Sequence, residues 1–186
     1  RANIGQKDLA EVLIKFPPPR EQRQIASALE PWVRAIKTVE ALIANARTQK
    51  QALMQQLLSG KRRLPGFSEP WAWADFADVF GRVKTKNAEG NTNVLTISAQ
   101  HGLISQVEYF NKSVASDDVR GYTLLQRGDF AYNKSYSDGY PMGAIKPLDR
   151  YDSGIVSSLY ICFRLTGRGF DHDFFRHYFE AGLFNR

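Results

Sequence analysis

Between positions 25 and 57 the apolar residues recur at intervals alternating four and three: Ile25, Leu29, Trp32, Ile36, Val39, Ile43, Ala46, then Lys50, Leu53 and Leu57. That is a heptad seam with one polar interruption, and it predicts a helix about 50 Å long whose apolar side must be buried by something equally long. Pro17, Pro18 and Pro19 mark the boundary before it, since three prolines continue neither a ladder nor a helix. Glu21 falls in the first turn, where a carboxylate complements the helix dipole, and Ser59 with Gly60 supplies the stop. Pro31 removes one helical hydrogen bond and predicts a kink, or a short helix joined to a longer one.

From Trp71 onward the pattern shifts to short runs of β-branched and aromatic residues: VLTIS, GLISQVEYF, YTLLQ, DFAYN, GAIKPL and GIVSSLYICFRL. Turns rich in Gly and Asp separate them (EGN, QRGD, SDGYPMG, TGRG), so each run is expected to be a strand. The last stretch, FDHDFFRHYFEAGLF, returns to helical spacing with Asp171 or Asp173 available as cap. Phe174, Phe175, Tyr178 and Phe179 form its apolar stripe and are expected to pack rather than to stack on bases. The expected fold class is α+β: a long coiled-coil-forming helix over 20–60, a linker over 61–70 punctuated by proline and glycine, and a compact strand-rich domain over 71–186. Residues 1–19 precede the helix as a polar turn followed by the apolar LAEVLIKF.

Charge sharpens the picture by its position. The chain carries +6 at pH 7. All of it resides in 20–63, where Arg20, Arg23, Arg34, Lys37, Arg47, Lys50, Lys61, Arg62 and Arg63 oppose Glu21, Glu30 and Glu40. Scattered helix cations suit a solvated face as well as they suit phosphates; the Lys61, Arg62, Arg63 cluster at the helix exit is the better phosphate candidate. Hydrophobic content of 43% and aromatic content of 12% exclude a disordered chain, and no apolar run reaches the length of a membrane span. The expectation is a cytoplasmic protein. Cys162, the single cysteine, lies in the apolar YICF run and is expected to be a buried thiol.

The segment "PPPREQRQI", the heptad helix after it, and "KQALMQQLLSGKRRLPGF" resemble, in that order, the central conserved region of specificity subunits of type I restriction-modification systems. Downstream, "VLTISAQHGLISQVEYFNKSVAS", "GYTLLQRGDFAYNKSYSDGYPMGAIKPL" and "SGIVSSLYICFRL" resemble the first part of a target-recognition domain in that family. The resemblance implies that residues 1–19 are the closing segment of a recognition domain. The domain over 71–186 is then either incomplete or completed by that segment. It further implies double-stranded DNA as partner, methylation subunits and a motor and nuclease subunit docked alongside, and a second copy or missing half paired through the helix. No cofactor is expected on this chain; S-adenosylmethionine, ATP and Mg²⁺ belong to those partners.

The residues themselves favour recognition over catalysis. His172 and His177 are five apart and face different sides of a helix, and no phosphate-binding loop, dinucleotide fingerprint or paired-cysteine spacing occurs. Asp117 with Asp118, and Asp171 with Asp173, are expected as caps or turns. DFAYNKSYSDGYPMGA, by contrast, concentrates Tyr132, Asn133, Lys134, Ser135, Tyr136 and Ser137 around turn residues. Its composition alone describes a turn-rich hairpin; with the resemblance it becomes a DNA-facing loop, in which Asn pairs with adenine and Lys with guanine. Ser98, Gln100 and His101, with Gln106 beyond them, suit either base edges or a tight turn. Arg82, Lys84 and Lys86 share one face of an extended segment, fitted to phosphates or to protecting a sheet edge. A coiled-coil adaptor whose globular domain binds protein is the competing function; a nuclease or methyltransferase in its own right has the least support, because its motifs are missing.

Ile43→Asp combined with Leu53→Asp is expected to abolish assembly through the seam while sparing the strand-rich domain. Light-scattering mass and circular dichroism check this, and an unchanged mass would count against the helix as assembly surface.

Overall fold

The computed structural model describes residues 5–98, 101–112, 118–135 and 142–185. It divides into two compact units, Arg1–Lys50 and Gln51–Arg186. In the first, a short helix α1 (Gln6–Ala10) starts where the Asp8 carboxylate accepts the Gly5 amide at 2.9 Å. Residues 12–18 follow without regular structure, their apolar side chains largely exposed. The Pro18 carbonyl then receives the amides of Glu21 and Gln22, and α2 (Pro19–Leu57) begins with proline in its first turn, where a missing N–H costs nothing.

α2 runs unbroken through Pro31, so the expected pair of helices is one helix of 39 residues. A single proline removes one bond, and strong helix formers on both sides, Ala26 to Glu30 and Ala35 onward, carry the helix across it. No residue of α2 is buried: Ile25, Leu29, Trp32, Ile36, Val39, Ile43 and Ala46 all stand exposed, Trp32 at 72%.

In the second unit α2 ends as expected, at Leu57, with Gly60 in the left-handed region (φ 72°) and the Arg62 amide closing back on the Gln56 carbonyl at 3.0 Å. Beyond it lie α3 (Phe76–Val79), β1 (Phe80–Arg82), β2 (Leu95–Ser98), β3 (Gly102–Ser105), α4 (Gln106–Phe110), β4 (Thr123–Gln126), β5 (Phe130–Asn133), β6 (Ala144–Pro147), β7 (Ser153–Val156), β8 (Ile161–Leu165), α5 (His172–Glu180) and a 3₁₀ turn, Leu183–Asn185. Every pairing between these strands is antiparallel: a four-stranded sheet in the order β1-β8-β5-β6, and the pairs β2-β3 and β4-β7; a single parallel bridge joins Val94 to Ile155. The fold is α+β.

Alternation along the strands builds two cores, one on each face of the larger sheet. Phe80, Phe130, Ile145 and Phe163 meet Phe179, Phe175 and Tyr178 of α5. Val83, Ala131 and Cys162 point the other way, into Leu95, Leu103, Leu125, Leu148 and Val156. α5 forms because Asp171 accepts the Phe174 amide at 2.7 Å and because its aromatics fall on one stripe. These side chains are packing groups, as their spacing predicts.

GLISQVEYF departs from the expected strand after Ser105. The Gln106 amide turns to the Val94 carbonyl (2.8 Å), and Glu108 of α4 takes the Tyr151 hydroxyl and the Arg150 guanidinium. Those partners lie more than forty residues away, so local pattern does not reveal them. Among the described residues no helix is long and apolar enough to cross a membrane.

A chain of amides braces the entry to this domain. Buried Asn87 accepts the Asn91 amide and donates to the Asn91 carbonyl, both at 2.8 Å; Asn91 donates to the Ser153 hydroxyl, and Asn93 to the Ser153 carbonyl. Asn87→Ala strands the Asn91 amide and is expected to cost about 1–3 kcal/mol, read as a lower urea midpoint at unchanged m-value.

Candidate nucleic-acid interface

β8 lies antiparallel between β1 and β5, so β1 and β5 point the same way. The residues that leave β1 (83–86), leave β5 (134–135), enter β6 (142–143) and enter β8 (157–160) therefore meet at one end of the sheet. Together with the strand residues they adjoin, these stretches carry Arg82, Lys84, Lys86 and Lys134 and no carboxylate. All four cations are exposed. Lys86 is anchored by its Nζ, which donates to the Gly121 carbonyl at 2.8 Å. Among the described residues the approach to β4 adds one acid, Asp118, paired with the nearby Arg120, whose guanidinium holds the Asp118 carboxyl down at about 2.

The mouth of the β5–β6 connection is built from three of the predicted residues. Tyr132 is half-buried against the aromatic core, its ring 6.1 Å from Phe184, and its hydroxyl donates to the Met142 carbonyl at 2.7 Å. Asn133 Oδ1 accepts the Ser135 amide at 3.0 Å, an Asx turn that occupies one of the lone pairs needed for pairing with a base. Lys134 and Ser135 are exposed. Tyr136 and Ser137 lie outside the described residues. Gly143 closes the mouth at φ 86°, and a Cβ there would collide with the Asn133 carbonyl oxygen.

The second predicted group lies elsewhere. Ser98 is buried, its Oγ accepting the His101 amide at 3.3 Å, which is the turn-closing role. Gln100 lies outside the described residues, and Gln106 is the first residue of α4. His101 is exposed and lines a cleft of about 170 Å³ with Lys146, Asp149, Arg150, Arg176 and Glu180, by the exit of β6 rather than its entry. Charge there is mixed and paired: Arg150 meets Glu108 at 2.7 Å, and Arg176 stands 3.6 Å from Asp149 and 3.4 Å from Asp173.

The helix exit divides its three cations. Lys61 and Arg62 are exposed, whereas Arg63 is half-buried, donating to the Glu69 carbonyl at 2.6 Å with its guanidinium 5.7 Å from the Trp71 ring centre. Trp71 in turn packs on Gly60 and edge-on to Phe174. Arg63 thus fastens the linker, and Lys61 and Arg62 are left to face solvent. Of the seam, Leu53 is exposed and Leu57 half-buried.

The anchor at the far end of β5 from the site is invisible in the motif pattern. Asp129, buried in the QRGD turn, receives two bonds from Arg164 of β8 at 2.8 and 2.7 Å and the Gln126 amide at 2.9 Å, fixing where β5 starts. An aspartate beside Gly in a turn is too common a signal to announce a buried ion pair. Burial pushes the Cys162 thiol up to about 12, away from nucleophilic use. His172 Nε2 lies 2.9 Å from the Gly128 carbonyl and His177 Nδ1 stands 3.5 Å from Glu180, so the two histidines keep separate company. No group of three or more potential metal ligands occurs among the described residues.

No family model matches the sequence, and neither does any curated protein. Among solved structures the chain is similar to the HsdS subunit from Thermoanaerobacter tengcongensis, at 20% identity over 95% of this chain and 45% of that one, with a TM-score of 0.42. It is similar also to a chain from a structure described as the basis of complex assembly and conformational transition of the type I R-M system, at 20% identity, 90% and 43% coverage, and a TM-score of 0.41. The match spans less than half the length of either.

Gly143→Ala is expected to lower stability by about 2–4 kcal/mol, since left-handed backbone and a collision coincide there. Gly90→Ala, left-handed but with nothing within 4 Å, should cost only about 1–2 kcal/mol. Urea unfolding of the two variants checks the difference.

Proposed function

We propose that this chain is a DNA-reading specificity subunit, whole or in part, of a type I restriction-modification system, and that it performs no catalysis itself. The observation that carries this reading is the sheet end where, among the described residues, four exposed cations gather and the one acid on the approach, Asp118, is paired with Arg120, and from which the Tyr132 to Ser135 stretch emerges. A polyanion is the natural partner of such a surface, because each cation that meets a phosphate releases a condensed counterion. Arg82, Lys84, Lys86 and Lys134 would anchor the duplex. Asn133, Ser135 and the adjoining Tyr136 and Ser137 would meet base edges. The motif order in residues 17–67 and downstream supports the family assignment.

On this reading α2 is the spacer to a second recognition domain, supplied by another copy or by further chain, and the target is two half-sites with a fixed gap. Methylation subunits would dock alongside with S-adenosylmethionine, and the motor and nuclease subunit would bring ATP and Mg²⁺. The exposed seam of α2 also favours a second function, a coiled-coil adaptor that binds only protein.

Co-expression with a methylation partner in a methylation-free host, followed by mapping of modified adenines, separates the two. A bipartite motif is expected. No motif, with the partner soluble and bound, would leave the adaptor. In direct DNA binding, Lys84→Ala with Lys134→Ala should flatten the slope of log affinity against log salt by about 2, roughly 0.9 for each phosphate no longer neutralised; an adaptor would show no such change.

A further inference from the structure

The cationic sheet end carries apolar side chains that phosphates cannot use. Leu159, at the tip of the turn into β8, is 75% exposed; Ile161, the first residue of β8, is 39% exposed, and Met142, at the entry to β6, is 57% exposed. Register places them around the reading loop. Ile161 pairs with Tyr132, and Tyr132 is bonded through its hydroxyl to the Met142 carbonyl. The turn that presents Leu159 is closed by the Tyr160 amide on the Ser157 carbonyl at 3.2 Å, so its apolar tip is held beside the continuation of β5 toward Lys134.

Exposed apolar groups rimmed by charge mark a binding surface. Here the rim, among the described residues, carries four cations, and the one acid on the approach to β4, Asp118, is paired with Arg120, which favours a polyanion over an ordinary protein face. Within a duplex, the apolar group that faces a protein in the major groove is the 5-methyl of thymine. Resting on the DNA-reading function above, we infer that Leu159 and Ile161, with Met142 beside them, form an apolar seat for thymine 5-methyl groups, so that the recognised half-site contains thymine read by its methyl. The polar loop residues supply hydrogen bonds, and these side chains supply a discrimination that hydrogen bonds cannot make.

Deoxyuridine pairs like thymidine and lacks only the methyl, which makes it the probe. The full chain is used to enrich sites from random duplexes, and the enriched duplex is then prepared with thymine or with uracil. Wild type is expected to bind the uracil form about fourfold more weakly for each seated methyl that the substitution removes. Leu159→Ser with Ile161→Ser should bind both forms equally, at the affinity wild type has for uracil. Leu159→Ala alone, at a turn tip with no packing role, should reduce the difference even if the double variant is unstable. An enriched sequence without thymine, equal wild-type binding to both forms, or undiminished discrimination in the Leu159 variant overturns the methyl seat and leaves DNA reading intact. Failure to enrich any sequence overturns DNA reading and the methyl seat with it.

Discussion

Strand β8 pairs with β1 on one side and β5 on the other, and the arrangement of the strand-rich domain depends on that double pairing. It aligns β1 with β5, which brings segments distant in the chain to one sheet end. It also sets the alternation that sends Phe163 toward α5 and Cys162 toward the smaller strand pairs, giving each face its own core. A slip of one residue would exchange the two sets. The bonds of Arg164 to Asp129 hold the opposite end of β5 against β8, so the register is fixed by a buried carboxylate as well as by packing. Those bonds satisfy a carboxylate that burial would otherwise penalise.

The long helix poses a different physical problem. Its seam residues remain largely exposed, and covering them would contribute on the order of 1 kcal/mol each. A helix of this length has no need of tertiary packing to close its own backbone bonds, yet its sequence spends the seam positions on Ile, Leu, Val and Trp. Such a surface is consistent with a helix made to be half of something. The strand-rich domain, by contrast, buries its two sheet-face cores, and besides charge it presents exposed apolar side chains such as Trp73, Phe67, Val107 and Leu159.

Much of the fold was legible because its signals are local. Heptad spacing marked α2, Gly60 marked its end, Asp171 and Asp173 marked the start of α5, where Asp171 is the cap, and β4, β5 and β6 lie within the runs read as strands. Pro31 does not divide α2 into two helices, because its cost is confined to one turn. α4 escaped because its helical state rests on Tyr151 and Arg150, partners more than forty residues away. Of the candidate site, Arg82, Lys84, Lys86 and the Tyr132 to Ser135 stretch came together, whereas Ser98 went to a turn, His101 to a mixed-charge cleft, and Arg63 to a clamp on Trp71.

By itself, then, the sequence determined periodicity and composition: where a helix or strand can form, where it must stop, and which stretches carry chemistry able to meet a nucleic acid. Tertiary structure alone decided which of those stretches share a surface, because strand direction and register depend on pairings between residues far apart in the chain. It also decided which charges are committed. Whether Arg63, Lys86 or Arg176 is available to a partner follows from the carbonyls, rings and carboxylates that folding brings within reach, and no local pattern encodes those distances.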